Sequence, residues 1–287
     1  MAYLLDNYYI SVTESTCKLT WVRTVPDKGQ VPSLRDDSGG KLSKNLLRAK
    51  TTFLDIGQSN YWDYLATFTS ASCDPEKEIR GFLGWLNDLN YNHGWKIRYL
   101  ALFERGELNH RLHAHVLLQN VPSEFVRQYT SAEYAKLPRD LKRLYSLFKT
   151  ETGTRLAYCP WWKFGWSTLV PVDGSPKVVS YMTKYMTKQN LEFTTKFGKH
   201  TFFASRGLKR PVKQKVPVDI AVTMWHRVPP GSWFRSFSGD DGTLLSSCYI
   251  LDKDKLPPAL WDYYNQIYRN LQSGNEDVTA GYIASEK

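Results

Sequence analysis

Cysteine is scarce in this chain and scattered. Cys17, Cys73, Cys159 and Cys248 form no Cys-x-x-Cys pair. That argues against a structural zinc ribbon and a disulfide framework, and makes a reducing cytoplasm the expected setting. Long apolar runs are missing as well. No stretch approaches the ~18 residues that a membrane-spanning helix needs, so no membrane partner is expected. The opening Met1-Ala2-Tyr3-Leu4-Leu5-Asp6 has neither a basic start nor a long apolar segment and does not read as a secretory signal. A phosphate loop is absent too. The candidate ending in Gly40-Lys41 carries Arg35 where the first glycine of G-x-x-x-x-G-K belongs, which speaks against an ATP-driven motor. No internal repeat is visible.

Negative charge is the remaining shortage. Asp and Glu number 28 against 38 Lys and Arg, a formal +10 over 287 residues with a pI near 9.3. A net positive charge serves either solubility or a polyanionic partner, and its distribution separates the two. Between Lys177 and Lys215 ten basic residues face one acid, Glu192, so this stretch alone carries +9. Such concentration favours nucleic acid. Lys177, Lys196, Lys199, Arg206, Lys209 and Arg210 are the expected DNA contacts, with Phe197, Phe202 and Phe203 available for base stacking.

A hydrophobic fraction of 42%, with 14% aromatics, is ample for a buried core in one large domain or two small ones. Tyr8–Val12 and Leu19–Val22 suggest short strands, and the polar stretch from Asp27 to Lys44 suggests a mobile loop. Tyr61–Thr69 is aromatic and strand-prone. Asp74-Pro75-Glu76 opens a helix whose apolar stripe is Ile79, Phe82, Leu83, Leu86 and Leu89. Ile97–Glu104 and Leu112–Gln119 form a strand pair across a turn at residues 106–109. Thr130-x-x-Glu133 resembles a capping box leading into helical sequence to about Lys149. Lys163–Val170 is a further strand, Ser175-Pro176 begins a helix to about Gln189, and Leu260–Leu271 suggests another. Strands joined by short turns and interleaved with helices indicate an α+β domain on a central antiparallel sheet.

Two motifs carry chemistry. In Leu112-His113-Ala114-His115-Val116 the imidazoles lie two apart on a strand, so they project from one face. The preceding strand ends in Glu104, an acid costly to bury unless paired or bound to metal. Antiparallel pairing brings it to the histidines. His113, His115 and Glu104 thus form a candidate Mg²⁺ or Mn²⁺ site, with open positions for water and a phosphate oxygen. Glu107 and His110, in the turn itself, rank second. The other motif is Tyr181-Met182-Thr183-Lys184-Tyr185-Met186-Thr187-Lys188. On a helix, Tyr181, Lys184, Tyr185 and Lys188 share one stripe, while Val178, Val179, Met182 and Met186 form the core stripe. A tyrosine nucleophile attacks as tyrosinate, and neighbouring ammonium groups favour that form. Tyr181 and Tyr185 are therefore candidate nucleophiles, supported by Lys184 and Lys188.

An aromatic strand ending in Phe68-Thr69, His-x-His preceded nine residues earlier by an acid, and Tyr-x-x-Lys-Tyr on a helix occur here in that order. Together they resemble the HUH endonucleases, in particular the two-tyrosine rolling-circle replication initiators of small single-stranded DNA phages. Lys163-Phe164-Gly165-Trp166 and the segment Phe202–Pro211 resemble the same proteins. The likeness spans about Tyr61 to Pro211. It implies a ferredoxin-like nuclease core at residues 58–215, with extensions at 1–57 and 216–287. It also implies metal-assisted nicking of single-stranded DNA at a replication origin, hairpin or not. The product would be a 5′-phosphotyrosine and a free 3′-OH for a host polymerase working with a host helicase, and the second tyrosine would serve in rejoining. An HUH transposase or relaxase, a water-using phosphodiesterase and a non-cleaving DNA-binding scaffold are the competing readings.

Overall fold

The computed structural model describes residues 5–13, 16–24, 38–70, 75–106, 111–137, 139, 142–143, 149–150, 153–154, 156–172, 176–186, 201–230, 232–238 and 244–272. In chain order the strands are β1 Leu5–Val12, β2 Thr16–Thr24, β3 Tyr64–Ser70, β4 Arg98–Arg105, β5 Leu112–Gln119, β6 Arg127–Gln128, β7 Lys149–Thr150, β8 Gly153–Thr154, β9 Ala157–Tyr158, β10 Gly165–Pro171, β11 Phe203–Ala204, β12 Val212–Val216, β13 Trp233–Ser238 and β14 Leu244–Asp252. The helices are α1 Ser38–Gln58, α2 Pro75–His93, α3 Ser131–Tyr134, α4 Pro176–Met182, α5 Val218–His226 and α6 Pro258–Gln272. The architecture is α+β, as the sequence suggests.

The chain divides into two compact units, Ala49–Leu208 and a second made of Met1–Arg48 with Lys209–Lys287. The two terminal segments, read from the sequence as separate extensions, thus form one unit, and the boundaries fall at 48/49 and 208/209 rather than 57/58 and 215/216. Its antiparallel sheet has the order β12-β1-β2-β14-β13. Ile10, Val12, Leu19, Met224, Leu260 and Ile267 build its core with α5 and α6. Pairing of β1 with β12 is a contact between residues some 200 positions apart (Tyr8 with Val216), which no local sequence pattern announces.

The Ala49–Leu208 unit holds a seven-stranded sheet of order β11-β4-β5-β3-β10-β9-β6. β3 and β4 run parallel through the α2 crossover, and β5 inserts antiparallel to both. Pro75 opens α2, where its missing N–H costs nothing. Phe82, Leu86 and Leu89 of the expected stripe are buried and pack on Phe68, Phe103 and Ala114 of the sheet. Burial of each such side chain stabilises by roughly 1.5–3 kcal/mol. Trp85 and Trp162 close the same cluster, their ring centroids 5.1 Å apart.

Several sequence expectations shift. Helix α1 begins at Ser38, inside the stretch read as a loop; residues 27–37 lie outside the described region. β3 starts at Tyr64, leaving Tyr61 exposed, and β10 runs Gly165–Pro171. The Thr130/Glu133 capping box is present, but α3 ends at Tyr134, and a β7–β8 hairpin occupies residues 149–154 where helix was expected to end. Asp74 lies outside the described residues.

Candidate active site

Cross-strand register lines up the chemistry-bearing side chains. Glu104 of β4 pairs with His113 of β5, which pairs with Thr69 of β3. Two residues along, Leu102, His115 and Thr67 form the next row. Directly paired residues project from one face of a sheet, so both rows share a face. The intervening row, Phe103–Ala114–Phe68, points into the α2 core. Ala114 sits between two phenylalanines, which gives the small middle residue of the His-Ala-His motif a packing reason.

Each imidazole is held from behind. Thr69 Oγ1 lies 2.9 Å from His113 Nδ1, and Thr67 Oγ1 lies 3.2 Å from His115 Nδ1. A hydroxyl can donate to a bare Nδ1 or accept from Nδ1–H, so it orients the ring in either tautomer. The Nε2 atoms face the site. His115 Nε2 donates to Glu104 Oε2 at 2.9 Å. A Cβ on Gly106 would come within 2.8 Å of His113 Nε2, so only glycine leaves that nitrogen open. Burial is the main reason the His113 pKa lies below the ordinary range, with the charges of His115 and Arg111 adding to it against Glu104. Its neutral, metal-binding form is therefore favoured. Among the described residues no three His, Cys, Asp or Glu side chains make a preformed metal cage. Glu107 and His110 lie outside the described residues.

The tyrosine segment is shorter than expected. α4 ends at Met182 and tightens into a 3₁₀ turn at Thr183–Tyr185, instead of running on to Gln189. Val179, Met182 and Met186 are buried, as the expected core stripe requires, and Val178 is half-buried. Gly57 of α1 lets that stripe approach: a Cβ there would overlap Val179 Cγ1. The Tyr185 ring stacks on the His115 imidazole at 3.8 Å between centroids and 10° between planes. Its hydroxyl lies 3.1 Å from that of Tyr181, which is 48% exposed. The Lys184 ammonium sits over both rings, 3.7 Å from the Tyr181 centroid and 4.6 Å from that of Tyr185.

These contacts separate the tyrosines. Burial pushes the Tyr181 pKa up, but hydrogen bonds from Lys184 and Tyr185 and the lysine's charge outweigh it, and the hydroxyl falls below the ordinary tyrosine value. Burial, the hydrogen bond with Tyr181 and the Tyr181 and Glu104 charges all push Tyr185 upward. Tyr181 is thus the better anion and Tyr185 its donor. The sequence, which makes the pair look equivalent, does not contain this difference.

Residues 63–190 match a family model of replication-associated proteins, the one described by the protein ORF2. The matched span contains both threonines, Glu104, both histidines, Tyr181, Lys184 and Tyr185. This match is consistent with a rolling-circle replication initiator and carries a role in replication initiation, nuclease activity in general and binding to origin DNA. No curated protein and no solved structure matches the chain. Among the described residues no helix is long and apolar enough to cross a membrane.

Of the expected DNA contacts, Lys177 and Arg206 are exposed on the unit that holds this site, and Lys209 and Arg210 are exposed in the other unit. Lys188, Lys196, Lys199 and Phe197 lie outside the described residues. Phe202 and Phe203, expected to stack on bases, are half-buried and already packed, against Phe53 at 5.6 Å and Phe103 at 5.3 Å. Thr67, Thr69 and Gly106 are the site residues that sequence reasoning missed. The alternation Thr67-Phe68-Thr69 was the available signal, since its polar phase matches that of His113-Ala114-His115.

Proposed function

We propose that the protein nicks and rejoins single-stranded DNA at a replication origin, using Tyr181 as first nucleophile and Tyr185 as second. The observation that carries this reading is the Tyr185–His115 stack, which seats the hydroxyl pair beside two threonine-anchored imidazoles and a carboxylate. That donor set, two neutral nitrogens and one oxygen, fits a hard or borderline divalent cation. Held by His113, His115 and Glu104 in place of the direct His115–Glu104 bond, Mg²⁺ or Mn²⁺ would supply Lewis-acid polarisation of the scissile phosphate.

The chain's own groups do the rest. Tyr181 Oη attacks phosphorus, with Lys184 and the Tyr185 hydroxyl stabilising its anionic form. The new Oη–P bond replaces the P–O3′ bond, leaving a 5′-phosphotyrosine and a 3′ oxygen that takes up a proton. Lys184, and Lys188 by its place in the motif, are the candidate proton sources. The phosphotyrosine ester retains the energy of the broken bond, so attack by a 3′-OH reseals the strand without ATP. Tyr185 then serves the second cleavage after host helicase and polymerase have regenerated the origin in the cytoplasm. Lys177, Lys196, Lys199, Arg206, Lys209 and Arg210 contribute phosphate neutralisation.

The test uses labelled single-stranded oligonucleotides tiling the DNA that encodes the chain, incubated with the protein and Mn²⁺. A covalent adduct that survives denaturation, vanishes with EDTA and is lost in Tyr181→Phe/Tyr185→Phe is the expected result. Cleavage without an adduct would indicate water as nucleophile, and binding without cleavage a DNA-binding scaffold.

A further inference from the structure

The sheet face that carries the histidines does not stop at Thr69. Register continues the row into β10, where Trp166 pairs with Thr69, so Glu104, His113, Thr69 and Trp166 run across four adjacent strands. Strands lie ~4.8 Å apart, which puts the Trp166 backbone roughly 10 Å from that of His113 on the same face. Tryptophan is rarely left open, yet Trp166 is 42% exposed. Its indole makes no ring contact and no hydrogen bond with any described residue. A large flat apolar surface at the end of a row of polar site residues is a ready stacking platform.

Resting on the reading of the site as one that acts on single-stranded DNA, we infer that Trp166 stacks on the base of a nucleotide flanking the phosphate that the histidines and tyrosines address. The row's direction gives the reason. A strand whose scissile phosphate lies at His113 and Tyr181 reaches Trp166 with its neighbouring base about one sheet step beyond Thr69. Every base has a π face, so the contact fixes position along the strand without reading sequence. Phe202 and Phe203 cannot take this role, because both rings are engaged in packing. Phe164 is more exposed than Trp166, at 55%, but its ring sits against Trp162 in the aromatic cluster with Phe68 and Phe82. Trp166 is thus a positioning residue: it sets which phosphate is presented and takes no part in bond making.

The experiment measures binding of fluorescein-labelled oligo(dT) in EDTA to the full chain carrying Tyr181→Phe/Tyr185→Phe, so that no cleavage intervenes. Trp166→Ala is expected to weaken binding about 10- to 100-fold, as loss of one stacked base does, with Trp166→Phe recovering most of it. Phe164→Ala is expected to change binding less than about threefold, since its ring already has partners. In the cleavage-competent chain, Trp166→Ala should raise KM and spread the adduct over neighbouring phosphates, a change in register that simple destabilisation would not produce. Thermal melts of each variant check folding. Equal weakening by Phe164→Ala and Trp166→Ala, or unchanged binding in a folded Trp166→Ala, overturns the inference. Should the wild-type chain bind oligo(dT) through Trp166 yet form no adduct with any oligonucleotide, the stacking role stands and the nicking chemistry fails; should it bind no single-stranded DNA at all, both fail.

Discussion

The two faces of the seven-stranded sheet are written by the same strands and do opposite work. On one, Phe68, Phe103 and Ala114 meet Phe82, Trp85 and Trp162 in a dense aromatic core. On the other, Thr67, Thr69, His113, His115 and Glu104 stand in ordered rows with Tyr185 stacked above. Because side chains alternate at period two, Phe68 anchors the core while its neighbours on either side orient the two imidazoles. The difference teaches that rigidity here is shared across the sheet. The apolar face fixes the backbone, and the backbone fixes the spacing of polar groups that could not hold themselves.

The comparison can be broken at several points. The largest effect is expected on the polar face: Tyr181→Phe/Tyr185→Phe should cut adduct formation on labelled oligonucleotides at least ~10³-fold while leaving the melting temperature nearly unchanged. An undiminished adduct would place the nucleophile elsewhere. On the apolar face, Phe82→Ala should cost about 3–5 kcal/mol in chemical denaturation, because its buried ring leaves a cavity among Phe68, Trp85 and Phe103. A much smaller loss would mean that the core relaxes and is not the rigid base argued above.

Thr69→Val tests the link between the faces. It removes the Nδ1 partner of His113 at constant shape and should weaken Mn²⁺ binding by calorimetry about 10- to 100-fold, as loss of such an orienting partner does. Unchanged affinity would show that β5 alone orients the ring. Ala114→Val pushes the other way, adding bulk between Phe68 and Phe103. It should cost about 1–3 kcal/mol by overpacking and disturb the histidine spacing only secondarily.

The smallest effect concerns the tyrosine pair. Lys184→Met removes the hydrogen bond and charge that hold the Tyr181 hydroxyl low, so its pKa should rise. Tyrosinate then forms at higher pH, and the rising limb of the cleavage pH profile should move to higher pH. A profile that stays in place would mean that Lys184 does not act on the nucleophile.

Much of this was legible in residues alone. The strand carrying His113 and His115, the opening of α2 at Pro75, the capping box at Thr130 and the buried stripe of Val179, Met182 and Met186 all follow from short-range periodicity and capping chemistry. Proximity of Glu104 to the histidines follows from a hairpin. The missed features depend on longer range. Thr67 and Thr69 matter because β5 inserts beside β3, 44 to 48 positions away. The five-stranded sheet of the termini depends on pairing of β1 with β12, and the early end of α4 on how the following turn settles.

By itself, then, the sequence determined the inventory: two imidazoles on one strand face, an acid beside them, two tyrosines and a lysine at helical spacing, and a basic stretch of +9 from Lys177 to Lys215. Only the tertiary structure decided their ranks. Hydrogen bonds from Lys184 and the Tyr185 hydroxyl make Tyr181 the more acidic member of the pair. Register across β10, β3, β5 and β4 brings Trp166 into line with His113. Packing withdraws Phe202 and Phe203 from solvent. The physical reason is that periodicity fixes the side of an element on which a group stands, whereas its pKa, exposure and partners depend on what the rest of the chain places against it.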